Sequence, residues 1–168
     1  MNKRILIFAL VATLMTSVVV ATASACITLT PGYWKNHDWP VSSVTAGGVT
    51  VTEAETLNKA GILWTAPKGD VWIILAQKVV AAKLSMLADP NTPDYAHWDD
   101  EWLFYIEGSP YAGMTFEEVV ADADEWLQDN SSPVKGNTLA GAEGLALASW
   151  IDFWLNWYDE GVHTQPPA

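Results

Sequence analysis

The sequence is poor in cysteine and in basic residues. Cys26 is the single cysteine, so the chain forms no internal disulfide. Eight Lys and Arg stand against 20 Asp and Glu, which gives a formal net charge of −12. A surface of this charge repels phosphate groups. We therefore expect neither nucleic acid nor an anionic membrane as a partner, whereas divalent cations and basic surfaces are compatible with it.

Sequence motifs typical of enzymes are also missing. The chain contains no G-x-S-x-G, H-E-x-x-H, C-x-x-C or phosphate-binding glycine-rich loop, and no EF-hand loop. A zinc site would have to combine scattered residues, because the chain has only three histidines. We predict a non-enzymatic protein with no catalytic residues and no cofactor, except that calcium fits one acidic helix face described below. A secreted hydrolase with an unrecognised site is an alternative.

The first 25 residues have the pattern of a secretory signal peptide. Lys3 and Arg4 precede an apolar run over residues 5–20, and the small residues Ala23-Ser24-Ala25 follow it. This order predicts cleavage near Ala25-Cys26 and a secreted or cell-surface product without a membrane span. A retained N-terminal anchor is the alternative. After cleavage, Cys26 would carry either a lipid or a free thiol.

The remainder is predicted to be one mainly α domain over residues 26–162, followed by a disordered tail at 163–168. We expect a compact fold of about four to five helices with a small N-terminal β-hairpin. Gly47-Gly48 between two β-branched runs predicts that hairpin, with strands near 41–46 and 49–52. Thr52 and Glu55 have the spacing of a capping box, which predicts a helix to about Ala60.

Longer helices are predicted further along. Asp70 is placed as the N-cap of an almost wholly apolar helix that ends before Asp89-Pro90, which indicates a buried central helix. Thr115 and Glu118 form a second capping box, opening a helix to about Gln128 with a core side of Val119, Val120, Ala123 and Leu127. A last helix is predicted over 139–159, and it carries on one side Leu145, Trp150, Trp154 and Trp157.

The most distinctive stretch is T-P-G-Y-W-K-N-H at residues 30–37. It lies in a segment, 26–40, that we expect to be extended with a turn at Pro31-Gly32. The stretch resembles the T-x-G-Y-W-K-N-H motif of secreted and surface proteins of bacteria and archaea, and the resemblance extends to about residue 88. That family has no established activity, so the resemblance implies location and fold and no catalytic residue.

Two interpretations of this motif stay open, and its residues are Gly32, Tyr33, Trp34, Lys35, Asn36 and His37. In the structural interpretation Gly32 permits a tight turn, the two aromatic residues insert into the core, and Asn36 and His37 bond neighbouring backbone. In the functional interpretation Asn36 and His37 line a ligand pocket.

Four acidic residues are predicted to share one face of the helix that begins at Thr115. Their spacing of 4, 3 and 4 residues places them in one row, namely Glu118, Asp122, Glu125 and Asp129. Like charges at this spacing repel one another. A hard cation such as Ca²⁺ would neutralise them, and a solvated surface is the alternative.

A row of aromatic residues falls in a predicted helix at 94–106, where Trp98 and Trp102 are interleaved with Asp99. Aromatic faces beside carboxylates are typical of sugar-binding sites, although a packed amphipathic helix has the same pattern. Our first hypothesis is a structural or adhesive module whose partner is a surface polymer, a glycan or another surface protein. A carbohydrate-binding module using Trp98 and Trp102 is the second.

Overall fold

The computed structural model describes residues 29–88, 110–111 and 113–157. In these ranges the fold is mainly α with a small hairpin near the N-terminus, as predicted. The helices are α1 (Pro31–Trp34), α2 (Glu53–Leu57), α3 (Val71–Leu87), α4 (Phe116–Asp129) and α5 (Leu139–Trp157). The strands are β1 (Ser43–Ala46) and β2 (Val49–Thr52), and a 3₁₀ turn covers Ile62–Trp64. The predicted signal peptide, the helix at 94–106 and the tail at 163–168 lie outside the described residues.

The prediction of an extended segment with a turn at Pro31-Gly32 is wrong, because α1 is a single helical turn. Thr30 is extended (φ −67°, ψ 163°), and its carbonyl accepts hydrogen bonds from the backbone N–H of Tyr33 (3.0 Å) and of Trp34 (3.3 Å). Pro31 occupies the first helical position, where its fixed φ suits a helix and its missing N–H costs nothing. Proline therefore starts a helix here.

The hairpin is confirmed with the predicted turn. β1 and β2 pair antiparallel, with Ala46 opposite Val49. Gly47 and Gly48 form the two-residue turn with φ of 57° and 75°, which is the left-handed conformation that such a turn requires at both positions.

Helix α2 begins as predicted and ends earlier. The Thr52 hydroxyl accepts from the backbone N–H of Glu55 (3.3 Å) at its start. The helix stops at Leu57, three residues before the predicted end at Ala60, because Lys59 adopts a left-handed φ of 58°. The N–H groups of Lys59 and Ala60 then bond back to Thr56 and Glu55, at 3.0 and 2.9 Å, and close the helix end.

The predicted buried central helix is α3. Asp70 caps it by accepting from the backbone N–H of Trp72 at 3.1 Å, and α3 packs against both α4 and α5. Its residues from Leu75 to Ala82 are largely inaccessible to solvent. Within the part of the chain that the structure describes, no helix has both the length and the apolar character needed to cross a membrane.

Side-chain contacts fix the directions of the three long helices. Val71 at the start of α3 lies beside Gly144 of α5, and Lys78 further along α3 pairs with Asp152, so α3 and α5 run in the same direction. Helix α4 runs the opposite way. Its first residue, Phe116, has its ring 5.9 Å from that of Trp154, whereas Trp126 near its end packs on Gly144.

Helix α4 matches the prediction, with the full Thr115–Glu118 capping box and the predicted core side buried. The residues predicted to share one side of α5 are not buried together, because Leu145 is 39% exposed and Trp150 is half-buried, whereas Trp154 is buried. The side chain of Trp157 lies outside the described residues. The face that packs inward is made mainly of Leu147, Ala148, Ile151, Trp154 and Leu155. Helices α4 and α5 approach closely at Gly144, where an added Cβ would lie 2.7 Å from the Trp126 ring.

Candidate functional site

The N-terminal motif docks on α3 through Trp34. This side chain is 2% exposed, and its Nε1 donates a hydrogen bond to Ser85 Oγ at 3.3 Å. The backbone N–H of Leu29 donates to the same oxygen at 3.1 Å. Trp39 bonds back to this helical turn, because its Nε1 donates to the Trp34 carbonyl at 2.9 Å. The buried ring nitrogens of this segment therefore have acceptors within the chain.

The other motif residues make local contacts. The ring of His37 stacks on that of Tyr33 with centroids 3.7 Å apart, and its Nδ1 lies 2.8 Å from the Tyr33 carbonyl oxygen. Asn36 Nδ2 donates to the Gly32 carbonyl at 3.2 Å, and Lys35 Nζ lies 5.5 Å from the centroid of the Trp64 ring. These contacts support the structural interpretation of the motif.

The role expected for Gly32 needs correction. Gly32 lies inside α1, and an added Cβ would meet only Thr30 Oγ1 at an ordinary 3.6 Å. The backbone therefore does not require glycine at this position.

The acidic row on α4 divides into two parts. Glu118 turns back to the helix start, where its Oε2 accepts from the backbone N–H of Thr115 at 2.7 Å. Asp122, Glu125 and Asp129 instead line a cavity of about 360 Å³. The structure thus brings three of the four predicted residues together and assigns the fourth to the capping box.

Helix α5 contributes a fourth carboxylate to this cavity, which we call the acidic pocket. It lies between α4 and α5, and its charged wall comprises Asp122, Glu125, Asp129 and Glu143. Tyr111, Trp126 and Asn130 also line it. Glu143 reaches the pocket because it is next to Gly144, where the Trp126 ring lies against the α5 backbone. The close approach of the two helices therefore builds the pocket.

The four carboxylates of the acidic pocket are exposed, and none forms an ion pair with a lysine in the described ranges. The two lysines of α3 form ion pairs outside the pocket, since Lys78 pairs with Asp152 and Lys83 lies 3.2 Å from Asp124. The lysines of the described ranges therefore leave the negative charge of the pocket uncompensated.

Two aromatic residues complete the acidic pocket. Burial raises the pKa of Tyr111 above its ordinary 10.0, and the charges of Glu143 and Asp122 raise it further, so the hydroxyl stays protonated at neutral pH. Trp126 is 6% exposed, and its buried Nε1 has no hydrogen-bond acceptor among the residues that the structure describes. Asn130 Nδ2 donates to the Trp126 carbonyl at 2.9 Å.

The calcium hypothesis for Glu118, Asp122, Glu125 and Asp129 stays a prediction. Among the described residues no group of three or more His, Cys, Asp or Glu is arranged to hold a metal ion. The other predicted sites, Cys26 and the sugar-stacking residues Trp98, Asp99 and Trp102, lie outside the described residues.

The sequence does not predict Tyr111, Trp126, Asn130 and Glu143 as pocket residues. Trp126 lies in the predicted helix α4 next to the acidic row, and this position is a sequence signal that could have indicated it. Glu143 carries no such signal, because its approach to α4 depends on how α4 and α5 pack.

The sequence matches no protein-family model, no curated protein and no solved structure. The likeness of residues 30–37 to the T-x-G-Y-W-K-N-H proteins therefore stays a prediction.

Proposed function

We propose that the protein is an extracytoplasmic, non-enzymatic module with a structural or adhesive role, which attaches to a positively charged partner at the cell surface. The partner is a surface polymer, a glycan or another surface protein. The observation that carries the proposal is the acidic pocket, in which four exposed carboxylates from two helices face one cavity without a lysine among them.

Electrostatics supports a binding role for the acidic pocket. Asp122 and Glu125 are three residues apart and Glu125 and Asp129 are four apart, and such like-charged pairs cost a helix about 0.2–0.5 kcal/mol each. Glu143 adds a further charge from α5. A cationic partner would remove this repulsion, so its binding gains the energy that the free protein loses.

The contacts of the N-terminal motif support a structural role for it. Its one histidine, His37, is stacked on Tyr33 and bonded to the Tyr33 carbonyl. Trp34 bonds the segment to Ser85 of α3, and Trp39 bonds back to the Trp34 carbonyl. The motif accordingly serves to fold and anchor the N-terminal segment, and the opposite end of the chain supplies the binding surface.

The signal-peptide pattern of residues 1–25 supports the location. Fractionation of the producing cells, with mass spectrometry of the N-terminus, tests it. We expect a chain that begins at Cys26 in the medium or at the cell surface. A chain that keeps residues 1–25 and stays in the cytoplasm would contradict the proposed location, and an acyl mass on Cys26 would identify a lipid anchor.

Sedimentation with isolated cell envelopes tests attachment. We compare the purified protein with the pocket variant Glu125→Gln/Glu143→Gln. The control variant Asp38→Asn/Glu117→Gln changes the net charge equally at exposed residues away from the pocket. We expect the pocket variant to bind more weakly than the wild type and the control, and high salt to weaken the binding of all three. Equal binding by the two variants would refute attachment through the acidic pocket.

A further inference from the structure

Two charged side chains join the β1–β2 hairpin to the long helices. Asp124 of α4 accepts at Oδ1 from the backbone N–H of Gly47, in the hairpin turn, at 2.8 Å. Lys83 of α3 donates to the carbonyl of Thr45 in β1 at 2.9 Å, and its Nζ lies 3.2 Å from Asp124 Oδ2. Within the described ranges, each hydrogen bond between the hairpin (residues 43–52) and α3, α4 or α5 involves Lys83 or Asp124.

The ion pair of Lys83 and Asp124 is partly withdrawn from water. The two side chains are 24% and 19% exposed, and each also bonds the hairpin backbone. Hydrogen bonds to charged groups are stronger than those between neutral groups. Loss of one partner would also leave the other charge unpaired in a partly buried place. The pair therefore contributes to holding the hairpin, α3 and α4 together.

The remaining contacts of the hairpin with the helices are apolar and come from small side chains. Val44, Ala46 and Val51 are buried, and Gly47 lies close to Leu127 of α4. A two-stranded hairpin is at best marginally stable by itself in water, so the order of β1 and β2 depends on this docking. The long helices do not depend on it in the same way, because α3, α4 and α5 pack on one another.

From these contacts we propose that the hairpin opens as one unit while α3, α4 and α5 stay folded together, and that the Lys83–Asp124 pair controls how often it opens. Supersecondary units of a fold commonly open at a lower free energy than the whole. Opening would uncover Leu127, which is 1% exposed when the hairpin is docked. This motion uses the face of α4 that carries Asp124 and Leu127, so it is independent of the acidic pocket and of the proposed function.

Native-state hydrogen exchange of the full-length protein, followed by nuclear magnetic resonance, tests the proposal. In the wild type we expect the backbone amides of β1 and β2 to exchange faster than the slowest amides of α3, because the hairpin opens without global unfolding. Asp124→Ala removes the acceptor of Gly47 and the partner of Lys83. It should accelerate exchange in β1 and β2 about tenfold or more, as suits the loss of a charged hydrogen bond. Asp124→Asn keeps an acceptor for Gly47 and should accelerate exchange less.

Two control variants separate opening of the hairpin from global unfolding. Asp152→Ala removes the same charge and breaks the other ion pair of α3, that of Lys78 with α5. Ile151→Val removes a methylene from a fully buried side chain of α5. The contacts that these variants weaken stay formed when the hairpin opens, so exchange in β1 and β2 should keep its wild-type rate. Ile151→Val should accelerate the slowest amides of α3 about twofold to tenfold, because they exchange through global unfolding.

Three outcomes would overturn the proposal. Wild-type β1 and β2 amides as well protected as the slowest amides of α3 would show that the hairpin does not open by itself. Equal acceleration of the hairpin and α3 by Ile151→Val would show that the fold opens as one cooperative unit. If Asp124→Ala accelerated exchange in the hairpin no more than Asp152→Ala does, the Lys83–Asp124 pair would not control the opening.

Discussion

The N-terminal motif and the acidic pocket differ in how far their polar groups are paired within the chain. In the motif and just after it, the buried N–H groups of Trp34 and Trp39 each have an acceptor, in Ser85 and in the backbone. In the pocket, the N–H of Trp126 has none, and the surrounding carboxylates have no basic partner among the described residues. Paired groups stabilise a fold, whereas unpaired groups cost stability and are retained where a ligand completes them. The distinctive motif therefore contributes to the fold, whereas the unpaired groups of the acidic pocket agree with the proposed binding role.

The largest effect is expected at the motif. Trp34→Ala removes a side chain that is 2% exposed and leaves Ser85 without its ring donor. Replacement of a buried Trp by Ala costs about 3–5 kcal/mol, and we expect a loss of this size in the free energy of unfolding, measured by urea denaturation. His37→Ala is the control from the same motif, because His37 is exposed and should cost about 0.5 kcal/mol or less. Equal losses for the two variants would contradict the anchoring role of Trp34.

Asp70 gives a comparison between carboxylates. Unlike the carboxylates of the acidic pocket, that of Asp70 is buried, and both of its oxygens accept hydrogen bonds. It accepts from the backbone N–H groups of Trp72 (3.1 Å) and Val134 (2.9 Å) and from the hydroxyl of Ser132. Asp70→Ala should cost about 3 kcal/mol, because it leaves buried donors unpaired at the start of α3. Asp70→Asn keeps one acceptor oxygen and should cost less. Urea denaturation measures both losses. If Asp70→Asn lost as much stability as Asp70→Ala, or more, the hydrogen bonds of Asp70 would not be the cause of the loss.

The hairpin turn tests how tightly the N-terminal region packs on α4. Both turn glycines have positive φ, but an added Cβ on Gly47 would lie 2.6 Å from Leu127 Cβ, whereas on Gly48 it would meet nothing within 4 Å. Gly48→Ala should cost about 1–2 kcal/mol for the left-handed backbone alone. Gly47→Ala should cost about 1–3 kcal/mol more because of the steric overlap. Thermal unfolding that gives the two variants the same midpoint would contradict this docking of the hairpin.

A smaller effect concerns Tyr111 in the acidic pocket. Its folded pKa is raised above 10.0 by burial and then by Glu143 and Asp122. The stability that Tyr111 contributes is thus complete below its ordinary pKa and is lost as the pH rises through the raised value. Glu143→Gln removes one cause, so the pKa of Tyr111 should fall while staying above the ordinary value. Phenolate absorbance, with Tyr111→Phe in both backgrounds as the reference, measures it. A pKa that does not change would place the carboxylate of Glu143 away from the phenol.

Local sequence signals predicted most of the described fold. The Gly47-Gly48 turn, the Asp70 cap and the Thr115–Glu118 capping box each fix a backbone conformation through residues that lie near one another, so the sequence alone is enough. Errors arose where packing decides. Pro31 fits both a turn and a first helical position, and the exposure of Leu145 depends on which face of α5 packs inward.

The candidate site was predictable only in part. Helical spacing places Asp122, Glu125 and Asp129 in one row, and the structure keeps them together. The same spacing includes Glu118, which the capping box draws away. Glu143 and Tyr111 come from other segments, and only the packing of α4 on α5 brings them to the pocket.

The stability of the pocket variant tests the division between fold and binding most directly. Glu125→Gln/Glu143→Gln removes like-charge repulsion and no ion pair with a lysine of the described ranges. We expect its free energy of unfolding in urea to equal or exceed that of the wild type by a few tenths of a kcal/mol, with Asp38→Asn/Glu117→Gln as the control. A loss of about 2 kcal/mol or more, as large as that of a buried hydrogen-bonded group, would show that the pocket carboxylates hold the fold together and would contradict the account.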